Sequence, residues 1–181
     1  MAEPQQDAPH GAEDATMVRI GQAIMLHRGG DREEARNRFA ALWQETDPDP
    51  DADLFHRCTI AHYMADTQDD PADELAWDLR ALAAADALHD GHRQGGEHQL
   101  AVRSLYPSLH LNVAAGHARL GNEDAARSAL ARAREKLAAL AADAYGQGVR
   151  AAVERLEKQL SDGAAAPGGP LDGDGGAGHL P

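Results

Sequence analysis

Two segments of this chain echo each other closely enough to restrict what it can fold into. Residues 30–42 read GDREEARNRFAAL and residues 121–133 read GNEDAARSALARA. In each, a glycine and a small polar residue form a turn, acidic residues follow where a helix would begin, and apolar residues then recur at helical spacing. Glycine ends the preceding helix because it adopts the left-handed conformation cheaply. Asp31 or Asn122 can then cap the next helix, and the acidic residues sit in its positive first turn. A chain that repeats helix, tight turn, helix in this way predicts stacked helical hairpins.

The remaining boundaries follow from the same punctuation. A first helix, capped by Asp14 or Thr16, carries Met17, Ile20 and Ile24 with Val18, Ala23 and Met25 beside them. The second places Ala35, Phe39, Leu42 and Trp43 on one stripe and stops at the DPDPD run of residues 47–51. A third, over about 52–67, aligns Leu54, Cys58, Ala61 and Ala65. Asp70 and Pro71 suit the cap and first position of a fourth helix, which bears Leu75, Leu79, Leu82 and Leu88 and an off-stripe Trp77. Residues 89–97 contain Gly91, Gly95 and Gly96 and predict a mobile loop. Pro107 either kinks the next helix or splits it. Leu109, Val113, Gly116 and Leu120 follow on one face, then a helix over about 123–142. Gly146 and Gly148 predict a hinge before a last amphipathic helix with Val149, Ala152, Leu156 and Leu160 inward.

Composition fits close helix packing and excludes several functions. Of 181 residues, 43% are hydrophobic but only 4% aromatic, so small side chains fill the interfaces. A net charge of −13 opposes binding to nucleic acid or an anionic membrane, which needs a basic face. Seven acidic residues in the terminal stretches account for part of that charge, leaving −6 for the rest. The single cysteine, Cys58, allows no intrachain disulfide and reads as a small buried hydrophobe. There is no signal-like start and no apolar run of the ~20 residues a membrane span needs. The expected compartment is the cytoplasm.

The helix–GlyAsp/GlyAsn–helix units resemble the tetratricopeptide repeat. In that family a small residue follows the turn glycine by five positions and a larger apolar residue comes four later. Gly30, Ala35 and Phe39 match, as do Gly121, Ala126 and Leu130. In the middle unit AspPro replaces the turn, and Ala76 and Arg80 take the corresponding positions, with Ala83 at a further small one. The first-helix positions, Arg19 and Leu26 in unit one and His110 and His117 in unit three, depart from the family's aromatic pattern. The resemblance implies an all-α fold, a short right-handed solenoid of antiparallel hairpins with about seven helices. Hairpins are expected over about 16–46, 52–88 and 98–142, with a capping helix over 147–160. Residues 1–15 and 161–181 are expected to be disordered tails.

The resemblance further implies a noncatalytic module that binds a protein or peptide in a concave groove lined by the first helix of each hairpin. Asn112 falls where family members use asparagine to hold a partner's backbone or carboxylate, and Arg57, His62 and Tyr106 are the candidate neighbours. The lysine-rich carboxylate clamp of some members is not matched, since no lysine precedes Lys136. The alternative from another class is a metal-dependent enzyme or small-ligand sensor. Ten histidines invite zinc. His56 and His62 diverge by about 120° on one helix, and His110 and His117 lie about 10 Å apart along theirs, so neither pair holds one ion. A zinc site would need His62 and Asp66, an i, i+4 pair, to converge with His110 from another helix. His89, His92 and His98 flank the glycine loop and read as solvated. No HExxH, phosphate-loop or GxSxG motif occurs, and Ser104 and Ser108 lack an activating partner. No cofactor is therefore expected.

Overall fold

The computed structural model describes residues 10–46, 53–90 and 97–165, with side chains described over 15–46, 53–90 and 101–163. Every regular element in it is helical: α1 His10–Arg28, α2 Arg32–Glu45, α3 Leu54–Ala65, α4 Pro71–Asp90, α5 Glu97–Arg119, α6 Glu123–Lys136, a 3₁₀ turn Leu137–Ala139, and α7 Ala144–Ala165. The fold class is all-α, with seven helices packed against one another among the described residues.

The two glycine turns are built as their sequence requires. Gly30 and Gly121 have φ of 90° and 75°, the left-handed region, and no other described residue has a clearly positive φ. Asp31 and Asn122 donate their backbone N–H to Leu26 and His117, closing the ends of α1 and α5 at 3.0 and 2.9 Å. Asp31 also accepts from the Glu34 N–H at 3.3 Å, whereas Asn122 makes no side-chain cap bond. Asp70 caps α4 through the N–H groups of Ala72 and Asp73, with Pro71 in the first helical position.

Burial occurs in three clusters, the first two sharing α3 and the last two sharing α4 and α5. Ile20 and Ala23 of α1 meet Ala35, Phe39 and Leu42 of α2 and Ile60 and Met64 of α3. Cys58 and Ala61 of α3 meet Ala81, Ala85 and Leu88 of α4 and Val102, Tyr106 and Leu109 of α5. Leu111, Val113 and Ala114 of α5 meet Ala126, Leu130 and Ala133 of α6 and Val149, Val153, Leu156 and Leu160 of α7. Each helix thus finds its apolar partner in its neighbours along the chain, and α3 and α5 also contact α1 and α3 respectively. Trp43 and Trp77, edge to face at 5.1 Å, tie the first two hairpins together.

Several boundaries differ from those expected. Helix α1 begins at His10, ahead of Asp14, and α7 runs through Ala165, because alanines there extend the helices. Residues 1–9 and 166–181 of the expected tails, with 47–52 and 91–96, lie outside the described residues. Of the two outcomes expected at Pro107 the split does not occur: α5 is one helix through it, with the proline ring fully buried. The helix expected over 123–142 ends at Lys136, where Arg150 reaches the carbonyls of Leu137, Leu140 and Ala141. Gly146 and Gly148 form no hinge but lie in the first turns of α7, with the Gly146 N–H bonded to Asp143 Oδ1 at 2.8 Å. Leu79 and Leu120, assigned inward, are 44% and 39% exposed; Asp78 is buried on the inner side of α4. In the middle unit neither Ala76 nor Arg80 is buried, and Ala81 and Ala85 serve as the small packing residues.

A cleft between α4, α5 and α6

The singled-out residues fall into four places. Arg57 lays its guanidinium over the Trp43 ring, 3.8 Å from the centroid, and so covers the first interhelical tryptophan. Asn112 bridges two helices, its Nδ2 donating to Asp78 Oδ1 at 3.3 Å. Asp78 is only 1% exposed and its Oδ2 finds no partner among the described residues. Burial pushes its carboxyl up to about 7, an effect the Asn112 bond only partly opposes. Asn112 is therefore spent on an interior carboxylate.

His62 and Asp66 sit at the end of α3, in the electrostatic reach of His27, Arg32 and Glu74. His62 rests edge-on against Tyr63 at 5.1 Å, and its Nδ1 is buried without a partner. Burial holds it below the ordinary histidine value, against the pull of Asp66. His110 lies elsewhere, among Asp86, Arg132, Glu135 and Lys136. Thus the zinc constellation of His62, Asp66 and His110 is not brought together, and no group of three or more His, Cys, Asp or Glu side chains among the described residues has the geometry to hold a metal ion. The reason lies in the packing: His110 stands among the ends of α4 and α6, while Asp66 lies among His62, His27, Glu74 and Arg32.

Tyr106 and His110 do meet, one helical turn apart, in a cleft of about 710 Å³. The end of α4 contributes Asp86 and His89, α5 contributes Arg103, Tyr106 and His110, and the end of α6 contributes Arg132, Glu135 and Lys136. Exposed Ala138 and Ala139 of the 3₁₀ turn complete its lining. Tyr106 Oη donates to Asp86 Oδ1 at 3.0 Å. Its ring stacks on His110 at 6.0 Å and 21°, and His89 meets it edge-on at 6.2 Å. Lys136 Nζ stands 5.9 Å from the Tyr106 centroid. Burial and the nearby Asp86 carboxylate drive the Tyr106 hydroxyl well above the ordinary tyrosine value. Burial also lowers His110, and Arg132 and Lys136 lower it further. The result is a buried aromatic and imidazole wall beside exposed charged side chains.

Sequence reasoning reached Tyr106 and His110 but missed Asp86, Arg103, Arg132 and Lys136. Arg103 stands three residues before Tyr106, and Arg132 and Lys136 are an i, i+4 pair, so each helix carried a local signal. What joins them is the angle at which α4 and α6 flank α5, which no local pattern encodes. Ser108 is structural, donating to the Leu105 carbonyl and accepting from Tyr145 Oη at 2.9 Å. Cys58 is buried, and desolvation pushes its thiol up to about 12, as suits a packing residue. A second groove, of about 880 Å³, runs along α1 past Val18, Gly21 and Met25. Two of its rim groups are already engaged, Arg38 with Glu34 and Asp31 with the α2 cap. No helix among the described residues is long and apolar enough to cross a membrane. Compared with known proteins, the chain matches no family model, no curated protein and no solved structure.

Proposed function

We propose that this chain is a noncatalytic interaction module of tetratricopeptide-like build, which holds a segment of a partner protein in the cleft between α4, α5 and α6. An adaptor working in the cytoplasm fits that reading. The repeat plan is supported by the two left-handed glycine turns and by the contact order, in which each first helix touches the next first helix and the one between them. The observation that carries the binding role is the cleft itself. Side chains from three helices line its open space, and buried Tyr106 and His110 form one wall, unlike the largely aliphatic groove along α1. Aromatic surfaces held in place before binding lose little entropy when a partner docks, which makes them good anchors. The seat differs from the groove along α1, α3 and α5 that the resemblance implied, because Asn112 and Arg57 are already engaged within the fold.

The test is affinity capture with the full chain, comparing the wild type with Ala139→Trp. Ala139 is exposed in the cleft lining, so the indole fills the space without disturbing the core. The expected result is a specific partner that Ala139→Trp loses and Gln159→Trp, on the exposed side of α7, retains. Equal capture by Ala139→Trp, or no specific partner at all, would overturn the reading.

A further inference from the structure

Charge in the cleft runs against the composition of the chain. Elsewhere in this acidic molecule arginines find carboxylates outside their own helix: Arg19 pairs with Glu45, Arg36 with Asp69, Arg119 with Glu74 and Arg134 with Glu157. Arg103 and Arg132 have no ion-pair or hydrogen-bond partner among the described residues, although they come from different helices and face one cleft. Lys136 beside them stands 5.9 Å from the Tyr106 ring centroid and makes no ion pair among the described residues. Two acidic groups share the space. Asp86 accepts the Tyr106 hydroxyl through Oδ1, and Glu135 makes no ion pair with either guanidinium among the described residues. In a chain with 30 acidic residues against 17 basic ones, three cations thus outnumber two carboxylates in this one concavity, and the two guanidiniums stay open to an anion.

The chemistry of the three cations narrows the anion. Each guanidinium offers a planar fork that grips two oxygens, so a lone carboxylate would occupy one fork and leave the other idle. A tetrahedral group with three free oxygens and two charges can use both forks and still reach the ammonium. We propose that the cleft binds a phosphate monoester carried on the partner segment, with Arg103 and Arg132 as the forks and Lys136 as the third contact. The proposal rests on the reading of the cleft as the partner's seat. Tyr106 and His110 supply the wall against which the flanking residues of that segment pack.

Titration calorimetry of the full chain with a short capped phosphoserine peptide, its unphosphorylated parent and inorganic phosphate tests this. The phosphopeptide is expected to bind, the parent to bind about ten-fold more weakly or not at all, and added salt to weaken both. Arg103→Gln with Arg132→Gln should reduce phosphopeptide affinity about ten-fold or more. Arg155→Gln with Lys158→Gln makes the same change in net charge on exposed α7 positions and should leave affinity within about two-fold. Binding of inorganic phosphate but not the phosphopeptide would overturn a partner-borne phosphate in favour of a free small anion. Binding of neither, or equal losses in the two double variants, would overturn the site. A partner captured by Arg103→Gln/Arg132→Gln but lost by Ala139→Trp would end the phosphate inference and leave the interaction module standing.

Discussion

Asp78 is the residue whose environment departs furthest from what its chemistry prefers. A carboxylate 1% exposed, with one oxygen held by Asn112 and the other unpartnered, is favoured in its protonated form. Its carboxyl is pushed from 3.8 to about 7 on folding. The folded state therefore holds a proton that the unfolded chain releases between about pH 4 and pH 7. Stability contributed by Asp78 is full below the unfolded value and declines as pH rises toward 7, by on the order of 4 kcal/mol for the whole shift. His62 has the opposite sign. Burial lowers it, so its share of stability is present above about pH 6.5 and is lost as pH falls. Urea unfolding of wild type and Asp78→Asn across pH 4–8 separates the two. The difference in stability should grow in favour of Asp78→Asn as pH rises, and parallel profiles would contradict the account.

At the scale of elements, the turn glycines set how each hairpin closes. An alanine Cβ at Gly30 or Gly121 would meet nothing within 4 Å, so the cost of Gly30→Ala or Gly121→Ala is backbone strain alone. Placing an L-residue in the left-handed region should destabilise by about 1–2 kcal/mol at either site, read from the denaturation midpoint. Gly148→Ala, inside α7 and also unobstructed, should instead be neutral or stabilising by up to about 1 kcal/mol. These elements were the legible part of the chain. Glycine, aspartate and proline act through their own backbone preferences, so the turns at Gly30, Gly121 and Pro71 could be read without knowing the rest. Gly146 and Gly148 misled for the same reason: the cap that absorbs them comes from Asp143, and the stop before them comes from Arg150, which reaches carbonyls at 137, 140 and 141. Leu79 was likewise misplaced, because the stripe through α4 turns toward Ala81 and Ala85 and leaves Asp78 inside.

The whole molecule is a row of helices whose three core clusters share α3, then α4 and α5, so neighbouring units are coupled through common helices. That arrangement was legible as hairpins, since each helix satisfies its apolar face locally. The cleft was not, because it depends on where the ends of three helices arrive. Tyr106 and His110 stood out by type and spacing, while nothing local marks Arg103, Arg132 and Lys136 until α5 and α6 bring them to line one cleft. The central claim is that this cleft is where a partner sits. Photo-crosslinking tests it most directly, with benzoylphenylalanine at Ala138 in the cleft and, as control, at Gln159 on the exposed side of α7. A partner joined through position 138 and not through 159 is the expected result. A partner joined through 159 while 138 stays silent would place the interaction elsewhere and contradict the claim.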